Sequence, residues 1–149
     1  MTKNSILPPT YLIIAILLMV GLFLIFPGIV IVPCPWNFIG LIPLVFGVWI
    51  NLAADKSFHK LKTTVKPFEE PSELITNGAF TISRNPMYLG FTAILTGIAL
   101  LLSALTPFII VFLFAIFMDQ KFIKEEEQNL AKKFGHAWHD YNKKERRWI

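Results

Sequence analysis

The chain has 149 residues, 54% of them apolar and only 16% charged, against roughly 25% charged in ordinary soluble domains, a composition that does not fit a soluble fold. The net charge of +4 and pI near 9.3 do not make it a nucleic-acid binder. Its basic residues flank apolar runs with no base-stacking motif beside them, and a face toward anionic lipid headgroups accounts for them. The single cysteine, Cys34, excludes an intramolecular disulfide and a cysteine-based zinc cluster.

Charge is segregated along the chain. No Asp, Glu, Lys or Arg falls in residues 4–54 or 85–118, and apart from Lys3 every charge lies in 55–84 or 119–147. A membrane span needs about 20 apolar residues, so each uncharged stretch holds two. The first span is expected at about 11–26, ended by Pro27-Gly28, Pro33 and Pro35. No small-residue cleavage site follows it, so it reads as a retained span and not a signal peptide. A second span, about 36–54, opens on Trp36 as an interfacial anchor. Residues 55–85 are too polar to span and form a loop over one mouth of the bundle, with Pro67, Pro71 and an Asn77-Gly78 turn signal. The second stretch, if one straight helix, would overshoot a ~30 Å hydrocarbon core. A break between Ser103 and Pro107 divides it into spans of about 86–104 and 106–122.

Four spans place Lys3, the loop with Lys56, Lys60, Lys62, Lys66 and Arg84, and a tail with eight basic residues on one side, while the opposite loops carry no charge. That asymmetry predicts a multi-pass, all-α membrane protein with both termini cytoplasmic, in a bacterium in the inner membrane. From about 119 to 146 the pattern is helical and amphipathic, so a C-terminal helix is expected to leave the bilayer on that side.

Two groups could carry chemistry. At about 100° per residue, Ile123, Leu130, Phe134, Ala137, Trp138 and Tyr141 share one face of the last helix. Glu127 lies inside that apolar stripe, Glu126 at its edge, and Glu125 on the far side. A carboxylate in such a stripe needs a cationic or hydrogen-bonding partner; snorkelling to headgroup water or pairing with nearby lysines would also satisfy it. The second group is the run Ser83-Arg84-Asn85-Pro86-Met87-Tyr88-Leu89-Gly90 at the start of the third span. Asn85 as N-cap, Pro86 at the first helical position and Arg84 at the headgroups would account for it structurally. Both groups belong at the same membrane face. His59, His136 and His139 sit among charges and read as solvated, so no metal site is expected.

Gly78 with Phe80, then Arg84-Asn85-Pro86-Met87-Tyr88 and Gly90, followed by Glu126-Glu127, Leu130, Phe134-Gly135 and Tyr141, resembles the integral-membrane methyltransferases. That group includes isoprenylcysteine carboxyl methyltransferases and phospholipid N-methyltransferases, and the resemblance covers about residues 60–145. It implies S-adenosylmethionine as cofactor and a lipophilic acceptor entering from the bilayer. It further implies catalytic roles for Arg84, Asn85 and Tyr88, and cofactor contacts from Arg84, Asn85, Pro86, Tyr88, Gly90, Glu126, Glu127 and Trp138. The chain departs from the family in having Asn85 where His is common and Trp138 where Tyr is frequent. The residue types suit the cofactor: a carboxylate answers its ammonium, a guanidinium its carboxylate, and aromatic faces its sulfonium. No G-x-G-x-x-G turn of a soluble nucleotide-binding fold appears. Rival expectations are a small four-helix transporter, which calls for an ionisable residue deep in a span, and a non-catalytic scaffold on the same fold. Whether the acceptor atom is O, N or S is open.

Overall fold

A computed structural model describes residues 7–60 and 72–149. The expectations resting on Lys3, Lys62, Lys66, Pro67 and Pro71 fall outside those residues. Every regular element described is helical: α1 (Pro8–Ile25), α2 (Leu41–Lys60), α3 (Pro86–Leu102), α4 (Thr106–Met118), α5 (Lys124–Phe134) and α6 (His136–Lys144). Three helices are long and apolar enough to cross a membrane, namely Pro8–Ile25, Trp36–Lys60 and Thr106–Phe134; Pro86–Leu102 is apolar but shorter, at 17 residues.

Local chemistry sets the boundaries. Prolines occupy the first turn of α1, α3 and α4, where a missing N–H costs nothing and φ is already helical. Ser103 ends α3 in the left-handed conformation, at φ 62°. α4 does not stop at Met118 but passes through a π-helical turn, Asp119–Ile123, into α5. The resulting 29-residue helix is about 43 Å long, longer than a hydrocarbon core of ~30 Å.

α3 is the most buried helix and forms the centre of the bundle. Against it α2 packs in antiparallel register through two glycine pairs. A Cβ on Gly47 would lie 2.5 Å from the Gly90 carbonyl oxygen, and one on Gly97 would lie 2.6 Å from that of Gly40. Small residues let helix backbones approach this closely, and in lipid such close packing is a main source of helix association. On the other side, Ala15 and Met19 of α1 and Val111, Phe114 and Met118 of α4 meet Leu95 and Ala99 of α3.

At one end of the bundle the two apolar loops clasp each other. The Ile31 N–H donates to Ser103 O (2.8 Å) and the Leu105 N–H to Ile29 O (2.9 Å), while Thr106 Oγ1 donates to Pro27 O (3.0 Å). These bonds satisfy main-chain groups that an uncharged loop at the membrane could not leave bare. At the other end a second apolar cluster, including Ile50, Ala54, Phe80, Leu89, Trp138 and Tyr141, closes the bundle.

Two expectations are corrected. The loop expected over 55–85 begins later, because α2 continues to Lys60. Asp55 and His59 pair one turn apart at 3.4 Å, Ser57 Oγ donates to Ala53 O, and Phe58 packs edge-on against Phe80, so these polar residues extend the helix. The helix expected over 119–146 is broken at Gly135, whose φ of 48° and ψ of −114° lie outside helical geometry. The break resets the helical phase, and Ala137, expected on the buried stripe, is exposed.

Candidate functional site

Residues 83–85 connect a 3-10 turn, Gly78–Thr81, to α3. Asn85 takes the N-cap position, with φ −127° and ψ 60°, yet its side chain makes no capping bond. Its amide nitrogen donates instead to Glu127 Oε1 (3.3 Å) and to Arg147 O (3.2 Å). Capping therefore does not explain the residue. Ser83 is fully buried; its hydroxyl donates to Arg147 O (2.9 Å) and accepts from the Asn85 N–H (3.1 Å).

Glu127 is the hub. The Arg84 guanidinium lies 3.3 Å from its Oε1, and Arg147 donates to its Oε2 at 2.6 Å. The side chains of Arg84 and Glu127 are only 9% and 11% exposed. Two cations on one carboxylate would leave an excess positive charge; Asp119, 3.4 Å from the second arm of Arg147, offsets it. The bond to Glu127 holds the Arg147 guanidinium more firmly protonated than usual. Arg84 also sits 5.7 Å from the ring centroid of Trp138, a cation–π distance. Its Nε is buried with no hydrogen-bond partner. An unmet donor of this kind is costly.

The three neighbouring glutamates separate as their helical phase requires. Glu125 is exposed and Glu127 buried, and the half-buried Glu126 accepts a hydrogen bond from the Tyr88 hydroxyl. Tyr88 in turn lies nearly parallel to Phe122, with centroids 6.2 Å apart. The π turn just before α5 sets the relative phase of Asp119, Phe122 and the glutamates, and π turns are common at functional sites. Tyr141 supports the cluster from behind by donating to Phe80 O (2.7 Å), and burial pushes its hydroxyl pKa up.

Of the residues singled out from the sequence, Arg84, Asn85, Glu127 and Trp138 thus form one group and Tyr88 with Glu126 an adjoining pair. Pro86 is fully buried at the start of α3. Gly90 faces α2, close to Asn51 and Gly47, and not the charged cluster. His136 and His139 are exposed.

Arg147 is what sequence reasoning missed. Its carbonyl and guanidinium both enter the cluster, and the Arg84 N–H bonds the neighbouring Arg146 O at 3.0 Å. Trp148 packs against both apolar clusters. The available signal was the Arg146-Arg147-Trp148 run, an aromatic directly after two cations, which counted only as positive charge at the membrane surface.

Compared with known families, residues 36–137 match the model of the phospholipid methyltransferase family. Searches of curated proteins and of solved structures find no match. The matched segment contains Arg84, Asn85, Tyr88 and the glutamates and leaves α1, Trp138 and Arg147 outside it.

Proposed function

The chain belongs to the phospholipid methyltransferase family, whose members transfer methyl groups to membrane lipids, and we propose that it does so from S-adenosylmethionine at the Arg84–Glu127 cluster. The acceptor is a lipophilic molecule reaching the cluster from the bilayer. In this reading four helices cross the membrane, with both termini cytoplasmic. Support comes from the positions of the charges: Arg84 and the basic residues of α5, α6 and the tail surround one end of the bundle, and the clasped loops at the other end carry none.

The observation that carries the proposal is the convergence of Arg84, Asn85 and Glu127 from segments 42 residues apart, with an Arg84 Nε that no protein group satisfies. The donor set suits the cofactor. Glu127, and Glu126 beside it, would answer the ammonium, Arg84 and the Asn85 amide the carboxylate, and the Trp138 face the cationic sulfur. When bound, the cofactor supplies an already activated methyl group. The protein's task is then to hold the acceptor in line and to exclude water. Asn85 can donate and accept hydrogen bonds but does not titrate, so at this position it orients and does not move a proton.

S-adenosylhomocysteine binding to the purified protein in detergent tests the proposal directly. At a hundredfold excess over Kd, a ligand of the folded state alone raises apparent stability by about 2.7 kcal/mol, read as a thermal shift alongside calorimetric heat. A folded sample showing neither would overturn the reading in favour of a transporter or scaffold.

A further inference from the structure

The segment after α6 lies across the start of α3. Glu145 leaves the helix in extended conformation, at φ −111° and ψ 145°. The next two residues are then tied to 83–85: the Arg84 N–H donates to Arg146 O (3.0 Å), and the Ser83 hydroxyl and the Asn85 amide donate to Arg147 O (2.9 and 3.2 Å). A side-chain amide nitrogen carries two hydrogens. In Asn85 one goes to Glu127 Oε1 and the other to Arg147 O, so neither is free. Glu127 is filled in the same way: its Oε1 meets Arg84 and Asn85, and its Oε2 meets the Arg147 guanidinium at 2.6 Å. One residue thus offers an acceptor oxygen to the amide and a cation to the carboxylate. The amino-acid end of S-adenosylmethionine, with its carboxylate and ammonium, would ask for the same two groups.

We propose that residues 145–148 form a displaceable strap, in which Arg147 imitates the amino-acid end of the cofactor and has to leave Asn85 and Glu127 before the cofactor binds. The inference rests on the methyl-transfer reading above, because the groups Arg147 vacates are those assigned there to the ligand. Of the three partners of Glu127, Arg147 is the one with a way out. Its side chain is 37% exposed, against 9% for Arg84, and Asn85 is buried. The guanidinium already reaches a second carboxylate, Asp119 Oδ1 at 3.4 Å, and it borders a cavity of about 340 Å³ between the π turn and Trp148. Moving toward that space, it gives up Glu127 without being left unpaired, the cost that otherwise keeps a buried ion pair closed. Trp148, packed against both apolar clusters, is the anchor that opposes release. A binding-competent state populated only in part lowers apparent affinity by that fraction, so the strap sets the cofactor concentration at which the site fills.

Calorimetry on the full chain in detergent, with S-adenosylhomocysteine as the probe, reads the competition by its sign. Arg147→Met keeps an unbranched side chain and removes the cation. It should tighten binding by about 10-fold and at most ~150-fold, the range for one charge-assisted hydrogen bond. A residue that only orients Glu127 predicts the opposite, weaker binding. Trypsin supplies a second readout on the unmutated protein: cleavage after Arg146 and Arg147, followed by mass, should quicken when S-adenosylhomocysteine is present. If Arg147→Met fails to fold, this measurement decides alone. Weaker or unchanged binding by folded Arg147→Met, or tail cleavage slowed or unaffected by the ligand, would overturn the strap while leaving the cofactor site in place. Binding by neither the unmutated chain nor folded Arg147→Met would remove the transfer reading and the strap together, so the two failures are told apart.

Discussion

Glu125, Glu126 and Glu127 are chemically identical and differ only in helical phase, which makes them internal controls. Glu125→Gln should leave cofactor affinity unchanged. Glu127→Gln should weaken it by about 10- to 150-fold, the range for one charge-assisted hydrogen bond, with Glu126→Gln in between. Equal affinities in calorimetry for all three folded variants would remove the pair from the site. Glu127→Gln should also lower thermal stability more than the others, since Arg84 and Arg147 would then face each other across a neutral amide. Arg84→Lys should be harmful too, because an ammonium cannot reproduce a two-pronged guanidinium contact. The burial of Glu127 was legible in the sequence because 3.6-residue periodicity is regular. Arg147 was not, because its carbonyl and guanidinium reach the cluster from beyond the end of α6 at Lys144, where no period applies.

Among the elements, α2 and α3 are joined by glycines whose role the sequence left ambiguous. Gly90 stood in the motif and read as part of a cofactor pocket, whereas its neighbours are Asn51, Gly47 and Ile50 of α2. Gly47→Ala and Gly97→Ala should each destabilise the protein by about 1–3 kcal/mol through overpacking. Gly21→Ala, with nothing within 4 Å of the new methyl, should not, as thermal unfolding in detergent would report. If Gly47→Ala and Gly97→Ala unfold with the wild type, the close α2–α3 approach is wrong. The break at Gly135 escaped the pattern for a different reason. Apolar residues recur at helical spacing on both sides of it, and a single glycine at positive φ changes direction without interrupting that count.

For the molecule as a whole, alternating charged and uncharged blocks foretold an all-helical membrane protein, because a hydrocarbon core tolerates neither charges nor unpaired backbone. Orientation across the membrane is open to a direct check. Cys34 is the only thiol and is exposed in a clasped, uncharged loop, so a membrane-impermeant thiol reagent should label it in intact cells. Labelling only after the inner face is opened would reverse the topology. The same clasp has a mechanical consequence. Main-chain bonds tie the loop after α1 to the start of α4, so any parting of these two helices is a swing about a fixed joint. With 18 residues, α1 is a lever about 27 Å long, and a swing of about 10° moves its free end by about 5 Å. That free end carries Tyr11. The widest gap would therefore open beside Lys121 and narrow to nothing at the joint, so the two helices can part at one end of the bundle only.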